Sequence, residues 1–188
     1  MPQIRSFCLM IVSLGMLALA ACAPAPQDGV ASSQSRVTAL AQAIAELGPD
    51  VDPDEAARAA EIAITYPLQL RQDYGVTDPP LVHNTKVNMG LRPRGLCWHW
   101  AEDMENRLAA EGFRTLDLHR AIANATTFLI DHSTVVISAR GDTMEQGIVL
   151  DPWRNSGTLF WSRVPEDPRY VWERREAVFA RKLSEQSS

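Results

Sequence analysis

A cysteine stands at the start of a predicted helix, in the stretch Gly95–Trp100 with the sequence GLCWHW. Apolar residues then recur at helical spacing until Gly112, namely Trp100, Met104 and Leu108. Cys97 is therefore expected in the first helical turn. Unpaired backbone N–H groups and the positive end of the helix dipole favour a thiolate over a thiol at that position.

The amino-terminal end is predicted to be a processing segment. Arg5 gives a short positive region, Phe7–Leu19 is almost wholly apolar, and Leu19–Cys22 (LAAC) has the form of a lipobox. This end resembles bacterial lipoprotein signal peptides, which implies that Cys22 becomes the lipid-bearing first residue of the mature chain. An ordinary secretory signal cut nearby is the alternative, and the apolar run is short for a transmembrane anchor.

The expected lipid defines a location and a domain plan. It anchors the chain to a bacterial membrane facing the periplasm, and Ala23 rather than Asp after Cys22 indicates the outer membrane, as is usual for such lipoproteins. After the signal peptide, residues 1–21, the Pro-, Ala- and Ser-rich residues 22–35 are expected to form a flexible tether. Residues 36–188 are long enough for a single domain with its own core.

Cysteine count and charge exclude several classes of protein. Of three cysteines, Cys8 leaves with the signal and Cys22 takes the lipid, so Cys97 has no partner for an intrachain disulfide. It is either an inert buried thiol or a functional one. The formal net charge is −5 and no basic block occurs, so nucleic acid is not expected as a partner.

The remaining patterns predict an α+β domain. Two packing helices are expected at 36–47 and from residue 53 to Tyr66, where Pro67 would end the second. Mostly irregular chain is expected over 68–80, and a loop over 81–95 leads into the helix of Cys97. Strands are predicted near 116–123, 126–138 and 148–151, and an amphipathic helix over 171–183. The helix that carries Cys97 would pack on this antiparallel sheet.

Three residues can assemble a thiol site. Thiol catalysis needs a thiolate, an imidazole that shares its proton, and a group that orients the imidazole. His132 lies in the second predicted strand and Asp151 ends the next one, so an antiparallel pairing places them nearly opposite each other. Each has an ordinary alternative: His132 as a hydrogen-bonded core residue, and Asp151 as a turn residue before Pro152.

This arrangement resembles the transglutaminase-like branch of the papain-like cysteine enzymes. The similarity covers roughly residues 81–161 and rests on Cys97-Trp98 opening a helix, His132 in a β-run, and Asp151-Pro152-Trp153. It implies a papain-like fold in which Cys97 is the nucleophile, His132 the general base and acid, and Asp151 the orienting group. It also implies acyl transfer through a thioester, which requires no metal or organic cofactor.

The chain departs from the family near the expected oxyanion hole. No Gln precedes Cys97 at a suitable distance, so Asn84, Asn88 or backbone N–H groups would stabilise the oxyanion. Both asparagines could instead form turns. His83 could support the site or lie on the surface.

Three further residues are candidates for substrate contacts. Trp98 and Trp153 could line a groove, although core packing is the common role of tryptophan. Arg154 could bind a carboxylate or phosphate with its guanidinium, or form a surface salt bridge. A metal site is a rival use of the same region, although its spacings match no zinc pattern; its residues would be Cys97, His99, His83 and His132.

Two functions follow as expectations. The first is a membrane-tethered cysteine hydrolase or acyltransferase that acts on peptide or protein amide bonds in the cell envelope. The second is a non-catalytic envelope lipoprotein that binds a peptide, a glycan or a protein partner.

Overall fold

In the described part of the chain, four α-helices precede the strands and one follows them. The computed structural model describes residues 28–127 and 130–187. The five helices within these ranges are α1 (Asp28–Ala45), α2 (Pro53–Asp73), α3 (Pro80–Asn88), α4 (Cys97–Ala109) and α5 (Arg175–Gln186). No helix of the described residues is long and apolar enough to cross a membrane. Phe7–Leu19 and Cys22 lie outside these residues.

The strands form one antiparallel sheet between α4 and α5 in the sequence. They are β1 (Leu116–Ala123), β2 (His132–Ala139), β3 (Ile148–Asp151), β4 (Phe160–Arg163) and β5 (Trp172–Arg174). Their order across the sheet is β4-β3-β2-β1-β5, and all four neighbouring pairs are antiparallel. Together with the helices, this sheet gives the α+β class that the sequence predicts.

The central strand β2 is buried on both faces. Val135 and Ile137 join the core that α1, α2 and α4 form against the sheet, and Val136 joins a smaller core on the opposite face with Trp172 of β5. This alternation follows from the two-residue period of a strand. His132 has the same parity as Val136 and contacts the Trp172 ring of the smaller core, and at the start of the strand it also lies next to Cys97 at the start of α4.

Three helix boundaries differ from the sequence prediction. Helix α1 begins at Asp28, inside the segment 22–35 that is predicted to be a tether. Pro67 does not end α2: it is buried inside the helix, which continues to Asp73 with Leu70 also in the core. The loop predicted before Gly95 instead contains most of α3, with His83 and Asn84 buried. For α2 and α3, packing outweighs local propensity.

The carboxyl-terminal half also differs from the pattern. Strand β2 begins only at His132, not at Thr126, and Phe128 and Leu129 of the predicted run lie outside the described residues. The region predicted as one helix from Val171 begins instead with β5, which pairs with β1 before α5 starts. A three-residue strand is too short to show a period in the sequence.

Glu55 in the first turn of α2 ties the helices to the sheet. Its side chain is buried, and its carboxylate accepts hydrogen bonds from the backbone N–H of Arg114 at 2.9 Å, the N–H of Thr115 at 2.8 Å and the Thr115 hydroxyl at 2.7 Å. Burial opposes the charge on Glu55, but these donors outweigh burial and hold its pKa below the usual value. The link fixes the connection between α4 and β1.

Candidate functional site

The start of α4 is held by a compact turn around Gly95. Gly95 has φ +120°, and a Cβ there would lie 2.3 Å from His83 Nε2, so only glycine fits. His99 Nδ1 accepts hydrogen bonds from the N–H groups of Gly95 and Leu96 at 3.1 and 3.2 Å. Trp100 Nε1 donates to the Gly95 carbonyl at 2.9 Å. These contacts place Cys97 as the first residue of the helix.

The Cys97 side chain is 7% exposed. Its thiol donates a hydrogen bond to the Asp131 carbonyl, with 3.5 Å between sulfur and oxygen. The first backbone donors of the helix are the N–H groups of His99 and Trp100, which both bond to Leu96. The N–H groups of Cys97 and Trp98 have no acceptor among the described residues. An anion at the sulfur would therefore face two unpaired donors and the positive helix end.

His132 and Asp151 come together at the ends of adjacent strands. His132 Nε2 lies 2.7 Å from Asp151 Oδ2, and the two side chains are 3% and 0% exposed. The carboxylate accepts, so Nε2 donates and the lone pair of a neutral ring is on Nδ1. Within the described chain, Nδ1 is buried without a hydrogen-bond partner. The ring therefore has one nitrogen oriented by Asp151 and the other available to take a proton.

The charge state of His132 depends on both of its neighbours. Burial of the ring disfavours the charged form, but the Asp151 carboxylate, by its charge and its hydrogen bond, and the adjacent Cys97 sulfur raise the pKa of His132 from 6.5 to about 9. An imidazolium beside a sulfur in turn favours the thiolate. The three residues can form a thiolate–imidazolium pair whose imidazolium is held by a carboxylate.

Arg154 forms a buried ion pair. Its Nε donates to Asp151 Oδ2 at 3.0 Å, and its two terminal nitrogens donate to Asp167 at 3.0 and 2.6 Å. Its side chain is 6% exposed. Arg154 thus forms salt bridges, the alternative to a ligand contact, but these bridges are buried and not at the surface. A substrate carboxylate or phosphate would have to displace Asp167 or Asp151 to reach the guanidinium.

Three aromatic rings surround the His132 imidazole. The ring centroids of Trp153, Tyr170 and Trp172 lie 4.6, 4.7 and 5.3 Å from it. Trp153 is buried, so this predicted groove residue is a wall of the site. Trp98 differs: it is 46% exposed beside the thiol, and its ring packs on His99. Of the two predicted tryptophans, only Trp98 presents a substantial surface to a ligand.

The two asparagines have different environments. Asn84 is buried on the inner side of α3, and its Oδ1 accepts from Trp153 Nε1 at 3.1 Å. This bond orients the amide, and its NH₂ group has no acceptor in the described chain. Asn88, the last residue of α3, is exposed. Asn84 therefore remains a candidate donor beside the site, whereas Asn88 is a surface residue.

Sequence reasoning missed Asp167, Tyr170 and Trp172. A weak signal was present, because Asp167-Pro168 repeats the Asp-Pro pair of Asp151-Pro152 and is followed by two aromatic residues. Nothing in the pattern, however, placed β5 next to β1. That pairing brings Trp172 to the imidazole and Asp167 to Arg154.

The residues of the rival metal site are engaged elsewhere. His83 Nε2 lies 2.9 Å from the Arg94 carbonyl, and His99 Nδ1 accepts the two backbone N–H groups at Gly95 and Leu96. Among residues 28–127 and 130–187, no three His, Cys, Asp or Glu side chains lie in a group that could hold a metal ion. The fourth histidine, His119, is hydrogen-bonded to Ser138 instead.

Comparison of the chain with protein-family models, with curated proteins and with solved structures finds no match. The resemblance to transglutaminase-like enzymes therefore rests on the residues and their arrangement alone.

Proposed function

We propose that this protein is a cysteine hydrolase or acyltransferase of papain-like, transglutaminase-like architecture that acts on amide bonds in the bacterial cell envelope. One observation carries the proposal: the His132 ring donates Nε2–H to a buried carboxylate and keeps an unpartnered Nδ1 beside the thiol at a helix start. An inert core cysteine needs neither the oriented ring nor the free nitrogen.

The chemistry follows from these positions. The Cys97 thiol loses its proton to His132 Nδ1, and the sulfur attacks the carbonyl carbon of an amide. The C–N bond breaks as the imidazolium returns the proton to the leaving nitrogen, which yields a free amine and a thioester on Cys97. Water or an acceptor amine then attacks the thioester with His132 as base, and the product acyl group leaves while the thiol is restored.

Two groups of donors would stabilise the oxyanion. The N–H groups of Cys97 and Trp98 have no acceptor in the described chain, and the Asn84 amide is held in place by Trp153. Removal of one such donor commonly lowers kcat by about 10²-fold. In the proposed enzyme, Asn84→Ala should lower kcat with little change in KM, and Asn88→Ala at the exposed end of α3 serves as the matched control.

The proposal places the enzyme at a membrane. The LAAC motif supports lipid attachment at Cys22, and Ala23 favours the outer membrane facing the periplasm. The nearest amide substrates are then peptide cross-links of the cell wall or protein side chains. Metabolic labelling with a fatty-acid probe, compared between wild type and Cys22→Ala, tests the anchor independently of the thiol.

The deciding experiment is the rate of Cys97 alkylation by iodoacetamide from pH 4 to 9, in wild type, His132→Ala and Asp151→Asn. A midpoint well below about 8.5 that rises in both variants supports the interacting site. His119→Ala is the control, since His119 bonds to Ser138. Mass spectrometry of the wild type with envelope peptides then seeks the thioester. An ordinary or unreactive thiol, equal in all variants, contradicts the enzyme.

One observation favours a second function, the binding of a partner without catalysis. Met89, Leu91 and Trp98, on the chain leading into and opening α4, are large apolar residues that are 67%, 58% and 46% exposed. Apolar side chains exposed in this way suit a protein or peptide partner. If the thiol proves unreactive, Met89→Asp with Leu91→Asp should abolish binding of an envelope peptide while Cys97→Ser leaves it unchanged.

A further inference from the structure

Asp167 is a fully buried carboxylate that is not part of the three-residue site. It directly follows the short 3₁₀ turn of residues 164–166, and its side chain is 0% exposed. It accepts two hydrogen bonds from Arg154, one from Trp172 Nε1 at 2.9 Å, and two from the backbone N–H groups of Arg169 and Tyr170 at 2.9 and 3.3 Å. These five hydrogen bonds fix the carboxylate and favour its charged form. They outweigh burial, so the pKa of Asp167 is below its usual value.

Arg154 connects this carboxylate to the site. Its terminal nitrogens bind Asp167, and its Nε donates to Asp151 Oδ2, the same oxygen that accepts from His132 Nε2. The guanidinium also contacts two aromatic rings, with its central carbon 3.7 Å from the Phe160 centroid and 4.8 Å from that of Tyr170. The side chain is thus held in one position with both ends engaged.

We propose that Asp167 is a positioning residue of the thiol site that acts through Arg154 and sets how strongly Asp151 holds the His132 imidazole. The inference rests on the proposed function for its biological meaning. Its physical content is the line of alternating buried charges Asp167, Arg154, Asp151 and His132, which ends at the Cys97 sulfur.

Two positively charged groups compete for one oxygen of Asp151. Arg154 and His132 share Asp151 Oδ2, so a stronger bond from Arg154 weakens the attraction of Asp151 for the imidazolium. Asp167 draws the guanidinium toward itself and neutralises its charge. Without Asp167, Arg154 would place an uncompensated positive charge beside Asp151 and His132, and the imidazolium would be less stable. Without Arg154, the whole charge of Asp151 would act on the ring.

Other ionisable groups facing His132 have to be held constant in a test. Cys97 approaches the ring from α4 and raises the pKa of His132, and Tyr170 lies against the ring from the segment before β5. The pKa of Tyr170 is raised, chiefly by burial, so this phenol stays neutral around His132. The test is therefore made in a Cys97→Ser background, where the imidazole titrates without the sulfur.

The experiment measures the His132 pKa by ¹⁵N NMR of the imidazole in the full chain carrying Cys97→Ser, with the His132 signal assigned by its loss in His132→Gln. Adding Asp167→Asn should lower this pKa by about one pH unit, and Arg154→Gln should raise it by about one unit. Glu173→Gln is the control: it removes a carboxylate of β5 whose ion pair with Arg181 is at the surface, and should leave the His132 pKa unchanged.

The two pKa shifts together decide whether Asp167 acts through Arg154. Opposite shifts support the proposal. An unchanged pKa in Asp167→Asn overturns it, and so does a fall in both variants, because general loosening of the site moves both toward the free value. If Asp167→Asn does not fold, the double variant Asp167→Asn/Arg154→Gln leaves no unpaired buried charge. Its His132 pKa should exceed that of the background, and an equal or lower value overturns the proposal.

This test and that of the proposed function fail separately. The NMR titration is made without the Cys97 thiol, so an unreactive Cys97 in the wild type would contradict the enzyme without changing the titration. Conversely, a reactive Cys97 with an unmoved His132 pKa in Asp167→Asn would keep the enzyme and remove Asp167 from its mechanism.

Discussion

Glu55 and Asp151 are both buried carboxylates with several hydrogen bonds, but their partners differ. Glu55 accepts hydrogen bonds from neutral groups, the N–H of Arg114 and the N–H and hydroxyl of Thr115, while the exposed Arg114 guanidinium is 3.9 Å away. Asp151 accepts from the ionisable ring of His132 and the charged Nε of Arg154. Burial and satisfied hydrogen bonds are therefore common to both carboxylates. What distinguishes Asp151 is a hydrogen-bond partner, the His132 imidazole, that can gain or lose a charge.

The largest difference should appear in reactivity. In the proposed enzyme, Cys97→Ser and His132→Ala should each lower amide turnover by roughly 10³-fold or more, because members of one catalytic unit act together. Glu55→Gln should leave turnover per folded molecule unchanged, since Glu55 contacts the segment that follows the opposite end of α4 from Cys97. Steady-state kinetics with the folded fraction determined by circular dichroism makes the comparison. A Glu55 variant as inactive as the His132 variant would break it.

Stability should depend more on Glu55 than on Cys97, the reverse of the order expected for turnover. Glu55→Ala removes the acceptor of three partly buried donors and should cost about 3 kcal/mol of unfolding free energy. Cys97→Ser should cost far less, because its thiol makes one long hydrogen bond. Urea denaturation of both variants measures the difference. Equal losses would show that the hydrogen bonds of Glu55 contribute no more to stability than an ordinary buried contact.

At alkaline pH, the stability of the protein should depend on the His132–Asp151 pair and not on Glu55. The pKa of His132 is raised from 6.5 to about 9, so the native state binds a proton that the unfolded state has released. This stabilisation is complete below pH 6.5 and is lost as the pH rises to about 9, with a decrease of about 3 kcal/mol. In Cys97→Ser, which removes the thiol titration, Tm should fall over this range. The fall should vanish when His132→Gln is added.

A smaller effect of opposite direction belongs to Glu55. Its pKa lies below 4.5 in the folded protein, so its stabilisation is present above the unfolded value and is lost as the pH falls through the folded one. Tm of the wild type should therefore decline below pH 4.5 more steeply than that of Glu55→Gln. Identical acid profiles would mean that the neutral donors around Glu55 do not favour its charge.

Part of the fold and of the site was predictable because neighbouring strands carry the information. Antiparallel pairing of β2 with β3 places the ends with His132 and Asp151 together, and both strands are rich in β-branched residues. The helix from Cys97 has a regular apolar stripe. For these elements, local pattern and tertiary contacts agree.

The missed elements have patterns that disagree with their burial. Helix α3 has its polar residues His83 and Asn84 inside, and its apolar residues Leu81 and Val82 are 56% and 48% exposed. An amphipathic pattern inverted in this way cannot be read as a core face. The inward polar residues are explained only by distant partners, since Asn84 accepts from Trp153 and His83 packs on the glycine before α4.

The late position of β5 in the chain has a consequence for the order in which the protein becomes competent. Trp172 covers His132 and donates to Asp167, yet it follows the other four strands in the sequence and pairs with a strand made much earlier. A chain emerging from the ribosome already contains the thiol, the imidazole and its carboxylate before this strand exists. The enclosure of the thiol site therefore waits until β5 has been synthesised, after every member of the site is in the chain.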